Sequence, residues 1–294
     1  MTMYQVVCSA IFLYLRKTKI NNKMEETIRI DIPAVLKSKA PNTHVPKFLV
    51  NYLKKIVHQD EINHFFETHP GCKDFDFLAA TLDYFQVDWS VEGEENLPTD
   101  DKKYIFVSNH PLGGMDGMVL ALILGRKYNG KIRVLINDLL MNLKPLQGIF
   151  VPVNKTGAQS KKNVHLVDAA YESDNHLLTF PAGACSRKQK GGIIADWEWK
   201  KNFIAKSVQY QRDVVPIYFE GRNSNFYYNL SRIRLALGIK LNLELFYLAD
   251  EMFRQRGNHF TIRFGKPIPW QTFDKTRKPQ EWAQWVKGKS YAMR

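Results

Sequence analysis

Apolar residues at the spacing of one helix face open the readable part of the chain. Leu49, Tyr52, Leu53, Ile56 and Val57 recur at i, i+3, i+4, i+7 and i+8 and predict a helix over residues 46–69, with Lys47, Lys54 and Lys55 flanking the stripe. A second helix is expected over residues 73–86. The period then changes to two: Val87, Trp89 and Val91 alternate through "VDWSVEG" as in a strand, and "NLPTDDKK" follows as a polar loop. From there a strand–loop–helix rhythm sets in. "YIFVS" reads as a buried strand, "MDGMVLALILGRK" as a very apolar helix, and "KIRVLIN" and "GIFVPVN" as strands. "SKKNVHLVDAAYES" reads as an amphipathic helix, "HLLTFPAG" as a strand feeding a glycine turn, and "VVPIYFEG" as a further strand. This alternation predicts an α/β fold with a largely parallel central sheet flanked by helices and an N-terminal helical cap. In such sheets ligands bind beyond the carboxyl ends of the strands, where "SNHPLGGMDG" and "FPAGACSRK" fall.

The remainder mixes apolar and aromatic residues with Arg232, Arg234 and Lys240, then "HFTIRFGKPIPW" reads as a late strand, followed by a short helix with Trp282 and Trp285. No internal repeat, low-complexity tract or linker stands out. The expected division is a poorly defined N-terminal extension over residues 1–23, a helical cap over 24–86 packed on the main domain, and an α/β domain over 87–294. The stretch from Val6 to Leu15 is apolar and then basic, without the basic start and small-residue cleavage site of a signal peptide. It reads as a short interfacial anchor or as the product of start-codon choice ahead of Met24, the latter being favoured. No run is long enough to span a bilayer.

Charge changes the picture of partners. The chain of 294 residues carries 42 Lys and Arg against 29 Asp and Glu, a net +13, which is more than solubility requires and draws a protein toward polyanions. Nothing matches a helix-turn-helix, zinc finger or RNA-recognition motif, so no nucleic-acid partner is expected. Cys8, Cys72 and Cys185 lack metal-ligand spacing, and an odd count argues against a disulfide framework and for a reducing compartment. The histidines at 44, 58, 64, 69, 165, 176 and 259 show no ligand spacing beyond His64 and His69, five apart, and no metal site is expected.

Candidate chemistry lies at two places. His110 at a strand tip can take a proton from a hydroxyl, and a carboxylate on its far ring nitrogen would fix the tautomer and stabilise the imidazolium. Asp116 is the nearest such carboxylate, with Gly113 and Gly114 supplying turn freedom and Pro111 stiffening the exit. In "FPAGACSRK" a turn at Gly183 followed by Ser186, Arg187 and Lys188 offers amides and cations of the kind an anionic group requires. Each block alone reads equally as an ordinary strand–turn–helix or a helix start with solvated cations.

Taken in order, "SNHPLGGMD", "GIFVPVNK", "FPAGACSR" and "VVPIYF", with "VEGEENLP" upstream, resemble the four blocks of the lysophospholipid and glycerolipid acyltransferase family over about residues 87–222. The resemblance implies His110 as general base and Asp116 as its orienting carboxylate. It implies acceptor binding by Asn109, Gly113 and Gly114 in the first block, by Asn154 and Lys155 in the second, and by Pro181, Gly183, Ser186 and Arg187 in the third. Three departures are visible. Five residues rather than four separate His110 from Asp116, a change Gly113 and Gly114 are expected to absorb. Ala182 and Cys185 stand where the family's third block has Glu and Thr, and the second block offers Lys155 in place of the family's Arg. The missing Glu and Arg point away from a glycerol-3-phosphate-type acceptor, and "NHPLGG" with "FPAG" resembles the hemolysin-like branch, which includes O-acyltransferases that complete bacterial aminolipids.

The implied reaction moves a fatty acyl group from acyl carrier protein or coenzyme A, as co-substrate, to the hydroxyl of a lyso-lipid acceptor, with no tightly bound cofactor. The implied setting is cytoplasmic and peripheral, at the inner face of the cell membrane, where net positive charge meets anionic lipid or an acidic carrier protein. The alternatives are an acyltransferase acting on 1-acylglycerol-3-phosphate, a Cys185–His110 thiolate pair forming an acyl-enzyme, and a non-catalytic basic membrane-binding protein.

Overall fold

The structure, a computed structural model, describes residues 29–39, 45–153, 161–239 and 242–294. The N-terminal extension and the second-block residues Asn154 and Lys155 lie outside the described residues. Helices α1 (Ile32–Lys39), α2 (Lys47–Val57), α3 (Gln59–Thr68) and α4 (Asp74–Tyr84) precede the sheet. The single helix expected over residues 46–69 is broken at His58, which adopts a left-handed conformation with φ 55°. That conformation costs a non-glycine residue roughly 1–2 kcal/mol. Contacts from far along the chain offset it: the His58 ring stacks on Phe253 at 3.8 Å, and its Nε2 lies 3.0 Å from an Asp250 carboxylate oxygen. The apolar spacing over Leu49–Val57 stops just short of the break, and the second helix buries Phe65 and Phe66.

The main sheet contains β1 (Asp88–Glu92), β2 (Tyr104–Ser108), β3 (Ile132–Asn137), β4 (Phe150–Val153), β5 (His176–Thr179), β8 (Asp213–Glu220) and β9 (His259–Phe264), in the order β1-β9-β8-β2-β5-β3-β4. Two short strands, β6 (Arg187–Lys188) and β7 (Ile194–Ala195), pair separately and antiparallel. Strands β8, β2, β5, β3 and β4 run parallel, as expected. The antiparallel junction of β8 with β9, and β1 beside β9 at the edge, were not legible in the pattern. The intervening helices α5 (Met115–Lys127), α6 (Lys161–Glu172), α7 (Asn202–Tyr210), α8 (Asn225–Ala236), α9 (Leu248–Phe253) and α10 (Pro279–Tyr291) cover the sheet and its ends.

Strand β2 shows why the centre is stable. All five of its residues are buried, and successive side chains alternate between faces. Phe106 joins Leu178, Val215 and Phe219 in a cluster with the cap residues Leu53, Phe65, Phe77 and Leu82 and with Val119 and Leu124 of α5. Ile105 and Val107 join Leu177 and Val214 on the other face, against Trp199, Phe203, Trp282 and Val286. The helical cap thus shares one core with the sheet. Rigid central strands fix where their carboxyl ends stop: β2 and β5 end side by side, and β8 runs on beyond them to Glu220.

Candidate functional site

The chain leaves β2 at Ser108 and turns through residues 109–114 into α5. Asp116, in the first turn of that helix, is fully buried. Its Oδ2 accepts from the Leu112 N–H at 3.0 Å and its Oδ1 from the Gly117 N–H at 2.9 Å. The same Oδ2 lies 3.0 Å from Nδ1 of His110. The five intervening residues are accommodated by a left-handed Gly113 (φ 83°), while Gly114 stands at the helix start with φ −155°. A side chain at Gly113 would also strike Cys185, since a Cβ there would sit 2.3 Å from its Sγ.

The pair is electrostatically coupled. Burial disfavours the charged imidazolium, yet the adjacent Asp116 charge and hydrogen bond, with Cys185 and Asp196 nearby, push His110 up to about 9. Burial alone would raise Asp116, but His110 and the main-chain donors Leu112 and Gly117 hold it below its ordinary value. The His110 ring leans on Phe180 with centroids 4.3 Å apart. Its Nε2 has no hydrogen-bond partner among the described residues. An imidazole tied through Nδ1 to a carboxylate, with Nε2 left free, can accept a proton from a bound hydroxyl and return it to a leaving group.

The other sequence-predicted residues that the structure describes have these surroundings. Asn109 is buried and works as a peptide mimic: its Nδ2 donates to Phe219 O at 2.9 Å and its Oδ1 accepts from Phe219 N at 2.7 Å. Both ends of its amide are thus taken up by the main chain of β8 beside the end of β2. Ser186 is buried too. Its N–H donates to His110 O at 2.7 Å and its Oγ donates to Asp196 Oδ1 at 2.6 Å. Arg187, expected to meet an anion, is instead enclosed by protein. Its Nη1 donates to Cys185 O at 2.8 Å, its Nη2 reaches Glu244 Oε1 at 3.3 Å, and its guanidinium lies 4.9 Å over the Tyr227 ring. Arg234 holds the same Glu244 through Nε at 2.9 Å. Pro181 is buried and its carbonyl accepts from Lys200 N at 3.0 Å. Gly183 is exposed with φ 66°, and the Lys200 ammonium lies 3.4 Å from where its Cβ would be.

Sequence reading missed Asp196, whose carboxylate bonds both the first and third blocks, and Glu244, which neutralises the third block's arginine. An acid between apolar residues, as in "IIADWEW", is the one signal that could have flagged the former. Cys185 is buried against Gly113, and the hydrogen bond of the His110 ring goes to Asp116, not to this thiol. Among the described residues no group of three or more His, Cys, Asp or Glu is arranged to hold a metal, and no helix is long and apolar enough to cross a membrane.

Residues 34–294 match a protein family described as Acyltransferase. The chain belongs to that family. Two relatives share 53% identity with it over 266 residues, which is 90% of this chain in both cases: lyso-glycine lipid O-acyltransferases of Bacteroides thetaiotaomicron, covered over 97% of its length, and of Phocaeicola vulgatus, covered over 95%. Among solved structures, the 1-acyl-sn-glycerophosphate (LPA) acyltransferase PlsC from Thermotoga maritima aligns with a TM-score of 0.45 and 14% identity, over 98% of this acyltransferase and 96% of that chain.

Proposed function

We propose that this acyltransferase moves a fatty acyl group from an acyl thioester to the hydroxyl of a monoacyl aminolipid of the lyso-glycine type. The observation that carries the reading is the His110–Asp116 pair with Nε2 free, at the carboxyl ends of the parallel strands. The acceptor class is taken from the two relatives named above. His110 Nε2 takes the hydroxyl proton as the oxygen attacks the thioester carbonyl. The C–S bond then breaks, and the departing thiolate receives the proton back from the imidazolium. Asp116 holds the ring and balances its charge throughout. The thiol belongs to acyl carrier protein or coenzyme A. An acceptor bearing a phosphate monoester fits less well, because Arg187, the cation the third block offers, is committed to Glu244.

The enzyme meets its acceptor at the inner face of the cell membrane. Exposed Phe48 and Tyr52 on α2, and Phe226, Ile233 and Leu237 on or beside α8, support this reading, with Lys47 and Arg232 exposed among them. The two helices join through Tyr247, whose ring meets Phe226 at 4.9 Å and whose hydroxyl bonds that of Tyr52. The next residue, Leu248, packs beside Gly113 of the His110 turn. An apolar face ringed by cations suits an anionic bilayer.

The test is transfer of labelled acyl groups from acyl carrier protein or coenzyme A to lyso-glycine lipid. His110→Ala should lose ~10²–10⁴ in rate without unfolding. Undiminished transfer by that variant overturns the assignment.

A further inference from the structure

Asp196 follows β7 directly and is fully buried, in a segment no block of the family resemblance covers. A buried carboxylate persists only where donors surround it. Here the donors come from three places: the His110 N–H at 3.2 Å and the Ser186 Oγ–H at 2.6 Å, both on Oδ1, and the Trp199 Nε1–H at 2.9 Å on Oδ2. Ser186 in turn donates its own N–H to His110 O at 2.7 Å. Both main-chain polar groups of His110 are therefore held, one by Asp196 and the other by the residue that Asp196 holds. The segment is itself fastened from behind by α10. The Asp196 N–H donates to Tyr291 Oη at 2.7 Å, and the Lys287 ammonium bonds the carbonyls of Asp196 at 2.8 Å and Trp197 at 3.1 Å.

We infer that Asp196 is a positioning residue of acyl transfer, clamping the His110 main chain to Ser186 of the third block so that the imidazole stays on Asp116 with Nε2 outward. The inference rests on the reading of His110 as the base. Asp196 does not touch the ring nitrogens or the reacting atoms. It acts through the peptide on which the ring is mounted.

Asp196→Asn tests it. The substitution keeps the size of the side chain, removes the charge and puts an N–H against the Trp199 or Ser186 donor. The titratable and charged groups around the pair are Asp116 and Cys185 near His110, and Tyr218, Lys287 and Tyr291 near Asp196, with Glu198 beside Lys287. All of them stay in place. The expected result is a kcat lowered about 10- to 100-fold, the size of effect that misplacing a reacting group produces. The KM for lyso-lipid should stay within about twofold, and the His110 imidazole should titrate at lower pH by NMR, since a ring no longer held on Asp116 loses the charge and hydrogen bond that raise it. Loss of packing alone would leave that titration unmoved in the folded fraction. A folded Asp196→Asn protein with wild-type kcat, or with an unmoved His110 titration, overturns the proposal. If the variant does not fold, Trp199→Phe and Ser186→Ala each remove a single donor. A lowered kcat at unchanged KM in either supports the clamp, and wild-type kcat in both overturns it. The titration is read without turnover, so it separates failure of this inference from failure of the base assignment, which His110→Ala tests.

Discussion

The first and third blocks are both glycine turns at the ends of neighbouring parallel strands, and they use their polar side chains in opposite ways. The first leaves one nitrogen of His110 without a partner among the described residues and spends the rest of its polarity, through Asp116, on holding that ring. The third turns Ser186 and Arg187 inward, onto Asp196 and Glu244, so that its polarity supports the first block and its own loop. A residue type suited to binding substrate is thus no guide to where the side chain goes. What decides is whether the protein supplies a buried partner of opposite character. Glu244 does so for Arg187, and among the described residues nothing does so for His110 Nε2.

The comparison breaks most visibly at Asp116. Asp116→Asn should lower kcat by ~10²–10⁴ with the fold retained, because the carboxamide no longer stabilises the imidazolium. The pH profile of kcat/KM gives the second readout. His110 must be neutral to accept a proton and stands near 9 in the free enzyme, so activity should climb as pH rises toward that value. Removing the Asp116 charge should move this rising limb to lower pH while lowering its plateau. A limb that stays in place would show that Asp116 does not set the basicity of His110. Linkage gives the matching stability change. His110 lies above its ordinary 6.5 and Asp116 below its ordinary 3.8, so the pair's contribution is complete between about 3.8 and 6.5, is lost as pH rises through about 9, and is lost in acid as Asp116 takes up a proton.

On the third-block side, Glu244→Ala should destabilise the fold by about 3–5 kcal/mol, since two buried guanidiniums, Arg187 and Arg234, lose their shared partner. Thermal or urea unfolding measures it. If Arg187 were a substrate ligand that merely rests on Glu244, the KM for lyso-lipid would rise as well, since Arg187 would lose its support.

The fold was legible where local periodicity carried it. The fully buried β2, the apolar α5 and the five parallel strands follow from runs and spacings within about a dozen residues. The break at His58 was hidden because its cause, Phe253 and Asp250, lies almost two hundred residues away. The same distance rule divides the site. His110 and Asp116 are six apart and were read from one turn, whereas the partners of Asn109, Ser186 and Arg187 are set by tertiary packing, and their inward direction was not. Asn109 is the sharpest example: its partner Phe219 sits on the neighbouring strand, 110 residues on, and only the β2–β8 register brings the two together.

The two glycines sharpen the comparison at its smallest scale. Gly113 and Gly183 share a left-handed conformation, φ 83° and 66°, so alanine costs roughly 1–2 kcal/mol of backbone strain at either. Their surroundings differ. At Gly183 the nearest atom to a new Cβ is the end of the Lys200 side chain at 3.4 Å, which can swing away, so Gly183→Ala should lose only that strain and keep most activity. At Gly113 the Cβ would meet the buried Cys185 Sγ at 2.3 Å, adding an overpacking cost of about 1–3 kcal/mol. Because the turn carries His110, kcat should fall with it. Cys185→Ala in the Gly113→Ala background removes the contact with Sγ and leaves the strain and a tight contact with the movable Leu248 side chain at 3.2 Å, so it should bring stability and kcat back toward those of Gly183→Ala. A double mutant no better than Gly113→Ala alone would mean that the glycine is required for its backbone angles and not for the room it leaves to Cys185.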